Sequence, residues 1–268
     1  MTEPYEITGR TRLFGIVADP VHQVKTPQAI NARMRAQGFD GVLVPFHVAP
    51  DGLSDFMAGL RRLRNFGGFI ATVPHKSAMV TLCDEVDAAS RLIGAVNCIR
   101  RDPDGRLIGT MLDGRGFVQG LLSASIDPAG MRVYLAGAGG AAAAIAFALA
   151  EAGIVALTIA NRTRPRAAAL AERLGRLYPK LSVTIAPASP AGHDLVVNAT
   201  SLGLREGDPL PIDANQLNAG QIVAEVIMDP ETTPLLAAAR AAGCRVHPGY
   251  PMLAEQLTLM MAHMGAMR

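Results

Sequence analysis

Residues 131–153, MRVYLAGAGGAAAAIAFALAEAG, decide the fold class of this 268-residue chain. An apolar strand pattern leads into Gly137-x-Gly139-x-x-Ala142, and an alanine-rich helical segment follows and ends at Gly153. In this context the first glycine makes a tight turn, the second lets backbone N–H groups approach a pyrophosphate, and the small third position packs helix against strand. The N-terminus of the helix presents partial positive charge to phosphates. The pattern predicts a dinucleotide site, and its alternative is a tight strand–helix turn without a ligand.

The end of the next predicted strand indicates which dinucleotide binds. The sequence there is Asn161-Arg162-Thr163, with Arg164 and Arg166 close behind. An NAD site usually places Asp or Glu at this point for the ribose 2′-hydroxyl, whereas guanidinium groups pair with a 2′-phosphate. The residues therefore favour NADP over NAD. The alternative is a solvated basic start of a helix.

Strand and helix patterns alternate along the whole chain. This alternation predicts an α/β fold with mostly parallel strands. The predicted strands are 11–19, 41–48, 68–74, 106–113, 131–137, 155–162, 181–187, 193–200 and 221–228. The predicted helices are 26–38, 51–67, 140–153, 166–179 and 249–265, and the methionines of the last helix are expected to fill the core.

Composition excludes several classes of protein. The net charge is +2, aromatic residues make up 4% of the chain, and the arginines are scattered, whereas a nucleic-acid binder shows a basic stripe with aromatic residues. Cys83, Cys98 and Cys244 form no disulfide framework, and the histidines lack metal-ligand spacing. The N-terminal residues resemble no signal peptide, and no apolar run is long enough to span a membrane. These features predict a cytoplasmic protein without a metal.

The segment 66–79, FGGFIATVPHKSAM, contains a candidate catalytic residue. Its apolar run ends at Pro74 and is followed by His75 and Lys76. Oxidation of an alcohol needs a base that takes the hydroxyl proton, and a lysine serves when its surroundings lower its pKa. Asp113, predicted at the end of strand 106–113, is a candidate partner. The alternative is a surface lysine that follows a turn.

Eight ordered motifs resemble those of the shikimate/quinate dehydrogenase family across nearly the whole chain. They are ATVPHK (71–76), GAVN (94–97), LDGRGF (112–117), GAGGA (137–141), NRT (161–163), NATSLG (198–203), TPLL (233–236) and GYPMLAEQ (249–256). The resemblance implies a mostly parallel α/β substrate domain and a Rossmann NADP-binding domain, with a cleft between them. The substrate domain would comprise residues 1–114, completed by the C-terminal helix 249–268, and the cofactor domain residues 115–248.

The resemblance also implies a role for individual residues. Lys76 and Asp113 match the catalytic pair of the family. The positions that match substrate-binding residues are Val24, Thr26, Thr72, Asn97, Met228 and Gln256. The positions that match NADP-binding residues are Gly137, Ala138, Gly139, Gly140, Ala141, Asn161, Arg162, Thr163, Arg166, Thr200 and Gly249.

The chain departs from the family pattern where the substrate carboxylate is held. The family usually has Ser-x-Ser-Pro near the N-terminus, and here Val24 and Thr26 occupy the two serine positions. A tyrosine is replaced by Met228, an Asn or Ser by Ile70, and Asn-Thr by Met111–Leu112. A hydrogen bond to a carboxylate contributes roughly 1.5–3 kcal/mol, so losing two donors lowers affinity by about two to four powers of ten.

We therefore expect an NADP-dependent dehydrogenase that acts on a cyclic polyol or hydroxy acid more apolar than shikimate. A first alternative is a genuine shikimate or quinate dehydrogenase with weak turnover. A second is a non-catalytic NADP-binding regulator on the same scaffold, against which the retention of Lys76 and Asp113 counts. A third is an interaction protein that binds no nucleotide. The expected oligomeric state is a monomer or homodimer, without nucleic acid or membrane partners.

Overall fold

The structure, a computed structural model, describes residues 6–185 and 189–267. These residues form two compact units. The first consists of the described residues up to Leu112 and from Leu257 onward, and the second is Asp113–Gln256. Each unit is built on its own six-stranded sheet. The predicted strand at 181–187 extends into residues 186–188, which lie outside the described part of the chain.

The sheet of the first unit has the strand order β2-β1-β3-β5-β6-β4. Its strands are β1 (Arg12–Ala18), β2 (Gly41–His47), β3 (Phe66–Ala71), β4 (Glu85–Val86), β5 (Cys98–Arg101) and β6 (Leu107–Thr110). Its helices are α1 (Thr26–Ala36), α2 (Leu53–Arg62), α3 (Met79–Leu82) and α4 (Ala88–Ile93). Strands β1, β2 and β3 are parallel, β4 is parallel to β6, and only β5 runs antiparallel to its neighbours. The predicted mostly parallel α/β architecture is confirmed.

The predicted strand 106–113 is shorter than expected and ends at Thr110. The next two backbone N–H groups leave the sheet and donate to side chains. Met111 N donates to Ser90 Oγ over 2.8 Å, and Leu112 N donates to Asn97 Oδ1 over 2.8 Å. Asp113 therefore begins a helix rather than ending a strand.

The second unit has the strand order β12-β11-β10-β7-β8-β9, and all its strands are parallel. The strands are β7 (Arg132–Ala136), β8 (Ala156–Ala160), β9 (Ser182–Ile185), β10 (Leu195–Asn198), β11 (Ile222–Glu225) and β12 (Arg245–His247). The helices are α5 (Asp113–Ser123), α6 (Gly140–Glu151), α7 (Arg164–Leu177) and α8 (Pro234–Ala241), followed by α9 (Tyr250–Met264). Parallel strands place all their carboxyl ends at one edge of the sheet, where α/β proteins bind ligands.

Helix α9 begins in the second unit and continues through Leu257 into the first. Met260, Met261 and Met264 are buried, and the sulfur of Cys98 donates to Met260 O over 3.7 Å. The methionines therefore fill the core of the first unit, as predicted. In the part of the chain that the structure describes, no helix has both the length and the apolar character needed to cross a membrane.

Candidate active site

The glycine turn after β7 has the backbone that its sequence predicts. Gly137 has φ +117°, a value that favours glycine, and its N–H donates to Ala160 O over 2.8 Å. A Cβ on Gly137 would lie 2.7 Å from Ala199 O, which is too close for any side chain. Only glycine therefore fits between the ends of β7 and β10.

The start of α6 is open toward solvent. Gly139 precedes the helix with φ −85°, and no side chain caps the first N–H groups. A Cβ on Gly139 or Gly140 would meet no protein atom within 4 Å. Uncapped N–H groups at the start of a twelve-residue helix, with free space in front of them, suit a phosphate group. The local structure therefore fits the pyrophosphate of a dinucleotide.

A cavity of about 550 Å³ lies at this edge of the second unit. Eight of the eleven predicted cofactor-binding residues line it: Gly137, Ala138, Gly139, Asn161, Arg162, Thr163, Arg166 and Thr200. Gly140 and Ala141 begin α6 without lining the cavity, and Gly249 precedes α9 elsewhere in the unit. Seven further residues line the cavity and were not predicted from the sequence: Tyr134, Ala136, Ala160, Ala199, Ser201, Leu202 and Pro211.

Basic residues lie at this cavity: Arg162 and Arg166 line it, and Arg164 lies between them in the chain without lining it. Arg162, Arg164 and Arg166 are exposed, and within residues 6–185 and 189–267 none of the three side chains has a hydrogen-bond or ion-pair partner. Asn161 Nδ2 donates to Thr163 O over 2.9 Å and fixes the turn that carries these arginines. Among the described residues that line the cavity, none carries a carboxylate. The site can therefore accept an additional phosphate.

A turn at 199–203 forms the opposite wall, and a buried side chain shapes it. Asn198 Oδ1 accepts hydrogen bonds from Thr200 N over 3.0 Å and from Thr200 Oγ1 over 2.7 Å. Asn198 Nδ2 donates to Leu202 O over 3.0 Å, and Thr200 Oγ1 accepts from Leu202 N over 3.0 Å. Asn198 begins the motif NATSLG (198–203) but was not among the predicted site residues. Its place at the carboxyl end of a predicted parallel strand was the available signal.

The turn that carries Lys76 is held in the first unit by its backbone. Thr72 N donates to Val17 O over 3.1 Å, and Val96 N donates to Lys76 O over 2.9 Å. Buried His75 lies with Nε2 2.8 Å from Val48 O, and because a carbonyl only accepts, Nε2 carries the proton. Lys76 itself is half-buried. The lysine therefore follows the buried strand β3 in a turn fixed to three other segments.

Asn97 belongs to the same part of the first unit. Its side chain is 1% exposed. Its N–H donates to Thr110 O over 3.1 Å, its carbonyl accepts from Ala71 N over 2.9 Å, and Oδ1 accepts from Leu112 N. The structure therefore anchors Asn97 directly beside the segment bonded to Lys76.

Val24 lies between β1, which pairs with β3, and α1, and Thr26 is the first residue of α1. Both are partly buried. Only Thr26 carries a hydroxyl group, so this loop lacks the paired hydroxyls of Ser-x-Ser. Lys25 and His22, the candidate replacements, are exposed, and the Lys25 side chain does not cap the helix.

In the second unit the structure brings two predicted site residues together. Asp113 is 8% exposed at the start of α5, where the helix dipole favours a carboxylate, and Gln256 Nε2 donates to its Oδ1. Met228 is 47% exposed. A Cβ on Gly249 would lie 2.4 Å from Ile227 O, so that glycine allows a close approach of two backbones.

Comparisons with known proteins agree with these features. Residues 16–99 match the family profile described as shikimate dehydrogenase substrate binding domain, and residues 122–203 match shikimate / quinate 5-dehydrogenase. The chain is 43% identical over 255 residues to the shikimate dehydrogenase (NADP(+)) of Rubrobacter xylanophilus, covering 93% of this chain and 89% of that relative.

Two solved structures resemble the chain over nearly its whole length. The ligand-free 5-ketofructose reductase of Gluconobacter is 33% identical with a TM-score of 0.88, covering 95% of this chain and 92% of that one. Shikimate 5-dehydrogenase from Listeria monocytogenes, in complex with shikimate and NAD, is 29% identical with a TM-score of 0.91. The match covers 99% of this chain and 94% of that one. The resemblance predicted from eight motifs is confirmed: the chain belongs to the shikimate/quinate dehydrogenase family.

Proposed function

We propose that this protein is an NADP-dependent oxidoreductase that interconverts a ring secondary alcohol and the corresponding ketone of a small cyclic substrate. The observation that carries the proposal is the cavity at the glycine turn, with an uncapped helix start on one side and unpartnered arginines on the other. The name of the Rubrobacter relative, an NADP(+) enzyme, supports the cofactor. We further propose that the protein is cytoplasmic, acts as a monomer or homodimer, and binds no nucleic acid.

In this proposal NADP supplies or accepts the hydride when it is bound. Lys76 takes the proton of the reacting hydroxyl during oxidation and returns it during reduction. Asp113 accepts a hydrogen bond from a substrate hydroxyl, and the hydrogen bond from Gln256 fixes the orientation of its carboxylate. Asn97, Thr72 and Gln256 contact the remaining substrate hydroxyls. Residues 1–114 with 249–268 serve the substrate, and residues 115–248 serve the cofactor.

The substrate that we propose lacks a carboxylate. Val24 cannot donate a hydrogen bond, and Thr26 provides a single hydroxyl where the family has two. A buried carboxylate without partners is strongly unfavourable, so this loop selects against carboxylic acids. The Gluconobacter relative is named for 5-ketofructose, a keto sugar without a carboxylate, and this name supports the same substrate class. Cyclic polyols and keto sugars are therefore the first candidates.

Shikimate or quinate is the second candidate substrate, which the name of the Rubrobacter relative supports. A screen that follows NADPH absorbance separates the two. Shikimate, quinate, carboxylate-free cyclitols and 5-ketofructose are each offered with NADP(H) and with NAD(H). We expect the highest kcat/KM for a carboxylate-free compound, and a wide preference for shikimate would contradict the proposal.

Restoring the two serines tests the same loop directly. We expect the double variant Val24→Ser/Thr26→Ser to lower the KM for shikimate about 10- to 100-fold, because each new donor stabilises the carboxylate. The matched control is Val21→Ser, which adds a hydroxyl to the same loop at a position outside the Ser-x-Ser pattern. Steady-state kinetics of both variants give the result. An unchanged shikimate KM in the double variant would show that this loop does not select against carboxylates.

Arg162 and Arg166, which line the cavity, are expected to determine the preference for NADP over NAD. We expect Arg162→Ala/Arg166→Ala to raise the KM for NADP about 10- to 100-fold and to leave the KM for NAD unchanged, because the 2′-phosphate loses charge-assisted hydrogen bonds. Arg164→Ala is the matched control, since Arg164 is exposed at the same helix start but does not line the cavity. An equal rise in KM for NADP and for NAD would show that these arginines attract both dinucleotides by their charge and do not bind the 2′-phosphate specifically.

The non-catalytic regulator remains the alternative from another class. It predicts tight NADPH binding, no turnover of any compound in the screen, and no effect of changes at Lys76. Any NADPH-dependent reduction that the Lys76 variants abolish excludes it.

A further inference from the structure

Glu225 is a buried carboxylate that the proposed reaction does not use. It ends β11, is 0% exposed, and pairs in the sheet with Asn198 of β10. Burial raises the pKa of Glu225 despite the hydrogen bonds that it accepts. Among the described residues no arginine, lysine or histidine forms an ion pair with it. A buried acid of this kind is costly, so what its oxygens hold in place is informative.

The two oxygens of Glu225 accept four hydrogen bonds. Oε1 accepts from Val226 N over 2.9 Å and from Ile227 N over 3.2 Å. Oε2 accepts from Asn198 Nδ2 over 3.0 Å and from Thr233 Oγ1 over 3.1 Å. Each of the four partners donates its hydrogen to Glu225, so both carboxyl oxygens must act as acceptors. An ionised carboxylate supplies two acceptor oxygens.

The two oxygens connect to two segments: the turn at 199–203, which lines the cavity through residues 199–202, and the backbone at 226–227 beside Gly249, a predicted cofactor-binding residue. Through Asn198, Oε2 reaches the turn at 199–203, which Asn198 holds by its bonds to Thr200 and Leu202. Oε1 fixes the backbone of Val226 and Ile227, and Ile227 O is the atom that approaches Gly249 so closely that no Cβ fits. One side chain therefore braces two segments at the carboxyl edge of the sheet.

The main-chain bonding of β10 to β11 already joins these strands from Leu195 to Asn198, so the sheet itself does not require the carboxylate. We propose that Glu225 is a positioning residue for NADP, which holds the 199–203 turn through Asn198 and the 226–227 backbone through its other oxygen. This inference rests on the proposed function. Glu225 acts through these segments and does not itself touch the reacting atoms.

The variant Glu225→Gln tests the bracing with minimal change in shape. The amide of a glutamine can take two orientations, and in each its NH₂ group faces an N–H donor. In the first orientation it faces Val226 N and Ile227 N, and in the second it faces Asn198 Nδ2. We expect the Kd for NADPH to rise about 10- to 100-fold. We also expect the KM for NADP to rise by a similar factor, with a much smaller change in kcat.

A compensating change distinguishes positioning from general damage. In Glu225→Gln/Asn198→Asp the donor and acceptor of this one hydrogen bond exchange places, and the amide of the introduced glutamine would donate to the introduced carboxylate. The hydrogen bond from position 198 to Leu202 O is lost in Asn198→Asp and in the double variant alike, so its loss cancels in the comparison. Asn198→Asp alone sets two carboxylates side by side and weakens NADPH binding. We expect the double variant to bind NADPH at least tenfold more tightly than the sum of the single effects predicts.

The readout is titration with NADPH fluorescence. Thermal unfolding of each variant is measured in parallel. Asp194→Asn is the matched control, since Asp194 Oδ2 also accepts a backbone N–H, from Arg132 over 2.7 Å, but at the opposite end of β10. We expect Asp194→Asn to leave the NADPH Kd unchanged whatever its effect on the midpoint of unfolding.

Wild-type affinity for NADPH in Glu225→Gln overturns the inference, as does an equal loss in Asp194→Asn. If Glu225→Gln does not fold, Glu225→Asp replaces it: the charge remains, but the shorter side chain cannot reach both sets of donors. We then expect a severalfold higher Kd for NADPH, and an unchanged Kd overturns the inference. Absence of NADPH binding in the wild-type protein would instead refute the proposed function itself.

Discussion

Replacing Lys76 with methionine is expected to lower kcat about 10²- to 10⁴-fold, which is the usual contribution of a positioned acid–base group. Methionine keeps most of the length and apolar body of the side chain and removes the ammonium group. The hydrogen bonds from Val96 N to Lys76 O and from His75 Nε2 to Val48 O do not involve the ammonium group, so both can persist in the variant and hold the turn. We therefore expect the Kd for NADPH to remain within about twofold of the wild-type value.

Stopped-flow turnover and NADPH titration measure the two quantities on the same preparation. Lys180→Met is the matched control, because Lys180 is an exposed lysine after α7 and its loss should change neither. Small primary amines should restore part of the turnover of Lys76→Ala, since they return the missing proton carrier. A loss of NADPH affinity as large as the loss of kcat would assign Lys76 to binding instead.

The glycine turn could be predicted from the sequence because its constraint is local. Gly137 needs a positive φ and the absence of a Cβ, and three residues of sequence context express both requirements. The arginines at 162–166 could be predicted for the same reason, since they follow a strand pattern by a fixed spacing. These features depend on one strand–turn–helix unit and not on the rest of the fold.

The network around Asn198 and Glu225 could not be predicted in the same way. The two side chains are 27 residues apart, and they meet only because the register of β10 with β11 places them opposite each other. Register depends on the whole sheet rather than on a motif. Glu225 was visible in the sequence as a glutamate inside the predicted apolar strand 221–228, but nothing local identified its burial or its four donors.

The end of β6 shows a second kind of limit. The sequence of 106–113 continues the apolar pattern to Leu112, and so it predicts a strand that ends at Asp113. The structure ends the strand at Thr110, because Ser90 and Asn97 accept the next two backbone N–H groups. Competition between side-chain and ladder hydrogen bonds is decided by tertiary neighbours, which the pattern does not contain. The correction places Asp113 at a helix start, where its charge is stabilised.

The second large effect, a loss of NADPH affinity, is expected on replacing Gly139 with alanine. Neither the backbone conformation nor the packing of the protein requires a glycine at this position. Its φ of −85° suits any residue, and an added Cβ would meet no protein atom within 4 Å. The Gly139→Ala protein should therefore fold normally, with a small cost for replacing glycine before the helix. The methyl group occupies open space at the N-cap of α6, whose first N–H groups no side chain caps. We expect the Kd for NADPH to rise about 100-fold, as expected for the loss of one or two hydrogen bonds to a charged phosphate.

Two other Gly→Ala variants distinguish this loss of NADPH affinity from the effects that replacing a glycine has on stability. Gly175→Ala lies in the interior of α7 with open space around it, and should raise stability by about 0.5–1 kcal/mol without changing NADPH binding. Gly137→Ala combines φ +117° with a contact of 2.7 Å to Ala199 O, so it should lower the midpoint of thermal unfolding as well as NADPH affinity. Of these three variants only Gly139→Ala is expected to lose NADPH affinity at nearly unchanged stability, because among Gly137, Gly139 and Gly175 only at Gly139 does the ligand alone require the absence of a side chain. If Gly139→Ala binds NADPH as the wild type does, the pyrophosphate does not lie against the start of α6, and the cavity holds some other ligand.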